Sequence, residues 1–195
     1  FALGQEKMSR NLVRAIVIVK KAAATTYLKL KIGNEDVESA IIKACNRVLD
    51  GECDMEACFP LQALQGGAGT SANMNVNEVL ANLALLEMGR KPGEYDVIHP
   101  LDDVNRGQST NDVYPTALRI AAIRQLRLLS DACAKLQTAF QEKENLWQDV
   151  EKLGRTELMD AVPVTLGEEF GAYAQALARD RWRLYKVEER LRQVN

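Results

Sequence analysis

At 195 residues the chain is long enough for one or two domains with a proper core. Apolar residues at 47% and charged residues at 27% are ordinary for a soluble globular protein. The balance of 25 Lys plus Arg against 27 Asp plus Glu, net −2, points to neither nucleic acid nor a membrane surface as partner.

The four cysteines (Cys45, Cys53, Cys58, Cys133) lack zinc-ligand spacing, and His99 is the single histidine, so no metal site is expected. Reduced thiols in the cytoplasm are the default. No apolar run approaches a membrane span and no signal peptide opens the chain. Phe1 in first position implies a processed product or a piece of something longer.

In chain order, residues 8–31 read as a helix, with Leu12, Ile16 and Val19 or Val13, Val17 and Lys20 as candidate faces, broken by Gly33 and Asn34. A second helix is expected over 35–49, with Val37, Ile41, Ala44 and Val48 on one stripe and Gly51 past its end. Residues 52–69 have no clear period and read as a loop. A third helix is expected over 73–88, with Val76, Leu80, Leu83 and Glu87 or Val79, Leu83 and Leu86 as its line, ended by Gly89. Residues 90–108 form a second long loop, and long loops in a compact helical domain are often functional.

A long helix then runs over 115–152, with Pro115 in its first turn, where a missing N–H costs nothing. Its stripe is Leu118, Ala122, Leu129, Ala132, Leu136, Ala139, Leu146 and Val150. A neighbouring line, Leu126, Cys133, Phe140 and Trp147, recurs every seven residues. At 1.5 Å per residue this rod is roughly 55 Å long, against roughly 42 Å for the diameter of a compact chain of this size. Partner helices must therefore come from other subunits or from further chain. Gly154 interrupts, and residues 155–163 read as a turn. Thr165 and Glu168 form a capping-box signature for the last helix, whose seam is Leu166, Phe170, Tyr173, Leu177, Asp180, Leu184, Val187 and Leu191. There is almost no strand signal.

Three segments are polar, glycine-punctuated and placed at helix ends: QGGAGTSANMNVN over 65–77, VNRGQSTNDVYPT over 104–116, and GRTELMDAVPVTLGEE over 154–169. Each offers hydroxyls and unpaired backbone N–H groups to an anion. None holds a nucleophile–histidine pair or a Gly-Lys-Ser/Thr nucleotide loop, so hydrolase and nucleotide-binding chemistry lack support.

In this order and spacing, and together with VKKAAA at 19–24, NEVLAN at 77–82 and TLGEEF at 165–170, the three segments resemble the aspartase/fumarase superfamily of lyases, on its ammonia-lyase branch. The resemblance covers essentially the whole chain. It implies an all-α subunit, with a small N-terminal helical domain over 1–107 followed by the start, 108–195, of a central bundle of long helices. It further implies a homotetramer whose active sites are shared between subunits, and no organic cofactor.

The implied reaction eliminates ammonia from L-aspartate to give fumarate, through an aci-carboxylate that must be stabilised. By the same likeness Ser109 and Thr110 bind that carboxylate. Asn111 and Thr70 lie near the leaving amine, and Thr156 near the other carboxylate. The serine base of the family belongs to a downstream loop that nothing in this chain matches, so the chain by itself is expected to be inactive.

Glu157 stands where many members have histidine, and a carboxylate there favours a leaving ammonium over a hydroxyl. His99 to Asp102 resembles a secondary anion site of fumarases, with Leu101 in place of the asparagine. Asp103 also replaces a frequent histidine. The alternatives are fumarate hydratase or another dicarboxylate lyase of the same superfamily and, in a different class, a non-catalytic helical oligomerisation module.

Overall fold

The computed structural model describes residues 4–65 and 67–194; Gly66, in the first polar segment, and both extreme ends of the expected domains lie outside the described residues. The chain divides into two compact units, one running to Ala121 and the other Ala122–Gln193.

In the first unit, α1 (Arg10–Leu30), α2 (Glu35–Asp50) and α4 (Thr70–Glu87) pack around one core. Helix α1 buries Leu12, Val13, Ile16, Val17 and Lys20, so its two candidate faces merge into one broad face. It ends where Lys31 takes up the left-handed conformation (φ 56°), before Gly33 is reached. Helix α2 is capped by Asn34, whose side chain accepts the Asp36 N–H at 2.9 Å, and is closed by Gly51 at φ 86°. Its predicted stripe, Val37, Ile41, Ala44 and Val48, is buried as expected. Burying Ile41 alone contributes roughly 1.5–3 kcal/mol.

Helix α4 begins at Thr70, three residues earlier than its period suggests, and buries Val76, Leu80, Ala84 and Leu85 while Leu86 stays exposed. The two long loops are partly ordered. A four-residue helix α3 (Met55–Cys58) is capped by Asp54, and a π-helical turn, Pro100–Val104, is capped by His99.

Helix α5 (Thr110–Leu146) has 37 residues, close to the expected length, but starts five residues before Pro115 and ends at Leu146, six residues before the expected end at 152, which lies in a strand. In the second unit its C-terminal part runs antiparallel to α6 (Leu166–Leu191). The helices are joined by an aromatic cluster of Phe140, Trp147, Phe170 and Tyr173 and by ion pairing of Arg127 with Glu188. The sevenfold line thus faces α6. Of the other stripe, Leu129, Leu136 and Leu146 are 51%, 47% and 64% exposed, so nothing within the unit covers it. The capping box at Thr165 and Glu168 forms in full.

Between these helices the predicted turn is instead a β-hairpin, β1 (Glu151–Thr156) paired antiparallel with β2 (Met159–Thr165). Gly154 does not interrupt; it sits in β1 at a register shift, where a Cβ would come within 2.7 Å of the Val162 carbonyl oxygen. Neither strand buries a residue, and neither sequence alternates apolar with polar side chains, so no strand period is displayed. The architecture is mainly helical, with this hairpin as its only sheet among the described residues.

Candidate functional site

The start of α5 is set by Ser109. Its carbonyl accepts the N–H groups of Asp112 (3.1 Å) and Val113 (3.0 Å), and its Oγ accepts that of Asn111 at 3.2 Å. Pro115, expected in the first turn, therefore lies inside the helix, and Asp112 sits in the first turn, favourably placed against the helix dipole. Proline there removes the bond that would have reached the Asn111 carbonyl. Val113 and Ala117 face the core, at 2% and 0% exposure, which turns Ser109 and Asn111 outward to solvent.

The start of α4 lies beside it. Gly69 precedes Thr70 in the left-handed conformation (φ 84°), and a Cβ there would come within 2.3 Å of the Tyr114 ring on α5. Only glycine meets both demands. One helical turn further, Asn73 Nδ2 donates to Thr110 Oγ1 at 3.0 Å. The first unit thus gathers Thr70, Ser109, Thr110 and Asn111 at two adjoining helix N-termini, where unpaired N–H groups favour an anion.

Beneath them runs a buried polar network that the sequence reading missed. Lys20, 1% exposed, donates from Nζ to Asn105 Oδ1 (2.7 Å) and Gln108 Oε1 (3.1 Å). Asn105 Oδ1 also accepts from Asn73 Nδ2 (3.1 Å) and Asn77 Nδ2 (3.2 Å), while Asn105 Nδ2 donates to the Gln108 carbonyl at 2.9 Å. Burial pushes the Lys20 ammonium down to about 7, with nearby Cys45 opposing the shift; burial likewise pushes the Cys45 thiol up to about 12. A signal was present. Lys20 falls on an apolar face of α1, and Asn73 and Asn77 share one face of α4 four residues apart.

A second network ties down the loop that leads to Ser109. Arg106 pairs with Glu38 Oε1 at 2.9 Å and with Asp103 Oδ1 at 2.6 Å, and its carbonyl accepts the Tyr27 hydroxyl. Asp103 Oδ2 accepts the His99 N–H at 2.7 Å. This gives Asp103 its physical account: its carboxylate joins the start of the π-helical turn to Arg106. Glu38 is 1% exposed, and burial pushes its carboxyl upward while Arg106 pulls it back. His99 Nδ1 accepts the N–H groups of Leu101 (3.3 Å) and Asp102 (3.2 Å), so this nitrogen is spent on capping.

Thr156 and Glu157 lie in the second unit, at the tip of the hairpin, and both are exposed. Thr156 pairs with Met159, leaving Glu157 and Leu158 as a two-residue turn with φ of 48° and 64°. Positive φ at both positions matches a type I′ turn, built here without the usual Asn or Gly. Each such residue is strained by about 1–2 kcal/mol, and Leu158 is fully exposed.

A family model described as lyase matches residues 2–195. The chain belongs to this lyase family. It is 47% identical to an aspartate ammonia-lyase of Corynebacterium glutamicum, over 95% of this chain and 35% of that protein. It is 40% identical to a class II fumarate hydratase of Prochlorococcus marinus, over 91% of this chain and 38% of the relative. Among solved structures, a fumarate lyase:delta crystallin of Brucella melitensis superposes with a TM-score of 0.95 at 47% identity, covering 100% of this chain and 45% of its own. The chain therefore spans less than half the length of these relatives. These likenesses place it in the aspartase/fumarase superfamily, with the helical fold that membership implies.

Proposed function

We propose that this lyase-family chain forms the substrate cradle of an ammonia-lyase that eliminates ammonia from L-aspartate to give fumarate. One observation carries the reading. Ser109 Oγ accepts the Asn111 N–H and Thr110 Oγ1 accepts the Asn73 amide, while among the described residues neither hydroxyl hydrogen has an acceptor. Both O–H groups are thus left to donate to an incoming oxyanion. Removing the proton beside a carboxylate places a second negative charge on it, and donors already aligned at a helix start stabilise that charge without reorganising.

In this proposal Asn111 and Thr70 flank the amine, while another copy of the chain contributes Thr156, which holds the second carboxylate, and Glu157, which pairs with the ammonium before it leaves. Glu157 is what favours ammonia over water as leaving group. The base is a serine supplied by chain beyond this stretch, and no organic cofactor enters the reaction. The functional boundary falls at Gln108, between an N-terminal helical domain and the central long-helix domain. The uncovered stripe of α5 and the exposed Trp182 and Tyr185 of α6 support assembly with further copies, a homotetramer with shared sites. Four free thiols support a cytoplasmic setting.

Incubating the intact protein with L-aspartate and with malate, and following fumarate absorbance, tests the reading. Fumarate from aspartate is expected, reduced at least tenfold by Thr110→Val on the scale of a lost charge-assisted hydrogen bond. Fumarate from malate alone would establish a hydratase instead, and none from either would favour the oligomerisation module. Glu157→Gln is expected to weaken aspartate affinity, and unchanged affinity removes Glu157 from the site.

A further inference from the structure

We propose that Lys20 is a positioning residue of this site: a buried amine that donates to two side-chain oxygens, it holds the polarity of a hydrogen-bond chain ending with the Thr110 O–H directed at the ligand. The inference rests on the carboxylate-binding role proposed for Thr110.

The chain can be followed atom by atom. The Gln108 carbonyl, 2.9 Å from one end of the Asn105 amide, can only accept, so that end must be the NH2 group. The other end, 2.7 Å from Lys20 Nζ, is then the amide oxygen, and Nζ donates to it. Two partners of opposite kind thus fix the orientation of Asn105. Its oxygen in turn obliges Asn73, at 3.1 Å, and Asn77, at 3.2 Å, to present their NH2 groups. The second hydrogen of Asn73 Nδ2 goes to Thr110 Oγ1 at 3.0 Å. The threonine oxygen is thereby made an acceptor from within, and its hydrogen is left for the outside.

The polarity has a visible cost. Asn73 Oδ1 and Asn77 Oδ1 are buried without partners. A half-turn of the Asn73 amide would let its oxygen accept the Thr110 hydroxyl, but would set two oxygens against each other at Asn105 and turn the hydroxyl inward. Lys20 and the Gln108 carbonyl together keep the costly arrangement in place by fixing Asn105. Without Lys20 the amide is held by one partner instead of two, the Asn105 oxygen loses its strongest donor, and the outward direction of the Thr110 donor is no longer firmly held.

A double-mutant cycle on the intact protein separates this from a structural role. Succinate, a dicarboxylate with no group to eliminate, is titrated calorimetrically into wild type, Lys20→Met, Thr110→Val and the double variant, each checked for folding by circular dichroism. Each single change is expected to weaken succinate about tenfold, and the double variant to bind within about twofold of Thr110→Val alone, because both remove the same donor. Losses that multiply to about a hundredfold, or a Lys20→Met variant that binds like wild type, overturn the proposal. If Lys20→Met does not fold, Lys20→Gln takes its place in the cycle. A neutral amide keeps a polar contact yet can donate or accept, so the same non-additivity is expected with a smaller loss, and multiplying losses again overturn it. Wild type that binds no succinate removes the carboxylate role of Thr110, and this inference with it. Wild type that binds, with Thr110→Val weakened and the Lys20 effects independent, removes only the role of Lys20.

Discussion

Replacing Lys20 by methionine should abolish a rise of stability with pH that the wild-type protein shows just above neutrality. Lys20 has its ammonium lowered from 10.5 to about 7 by burial. Between these values the unfolded chain holds a proton that the folded chain has released. Stability therefore rises with pH in this window, the penalty being full below about 7 and gone above 10.5. Each unit of pH is worth about 1.4 kcal/mol once the folded group is deprotonated. The facing groups limit the useful range. Cys45, across from Lys20 on α2, is raised from 9.0 to about 12, so it opposes the rise once the unfolded thiol ionises, and neighbouring Lys21 adds positive charge beside it. From pH 7 to about 8.5 only Lys20 contributes substantially, a gain of roughly 2 kcal/mol. With a urea slope of about 2 kcal/mol per M, that moves the unfolding midpoint up by about 1 M. The assay is urea unfolding at fixed protein concentration, followed by far-ultraviolet circular dichroism at closely spaced pH. A flat wild-type profile, or the same rise in Lys20→Met, would refute the buried ammonium as its cause.

Arg106→Ala should cost about 3–5 kcal/mol in chemical denaturation, because it strands the carboxylate of Glu38 where water cannot reach it. Adding Glu38→Gln should recover most of the loss, and a cost under about 1 kcal/mol would show that the pair does not hold the loop. Replacing Glu157 and Leu158 together by Asn and Gly should raise the melting temperature, since the left-handed turn then carries residues that accept it. The same double change should reduce activity on aspartate; unchanged activity would leave Glu157 as a turn residue only.

The sequence alone determined the helices and much of their packing. A period of three and four residues is local, so the stripe of α2 and the sevenfold line Phe140–Trp147 could be read directly, as could the capping box at Thr165 and Glu168. Family likeness, carried by three short segments, gave the superfamily outright. Tertiary structure decided what periodicity cannot carry. The start of α5 at Thr110 depends on a serine cap upstream of a proline that reads as the first turn. The hairpin at Thr156 has strands that bury no residue and a turn without Asn or Gly, so neither apolar alternation nor turn chemistry announces it. The roles of Lys20, Asn73 and Asp103 were not legible because a buried polar side chain is defined by its partners. Lys20 and Asn105 stand 85 positions apart, and Asn73 and Thr110 stand 37 apart. Such pairs exist only once the apolar faces of α1 and α4 have packed and removed the water that would otherwise have bonded them.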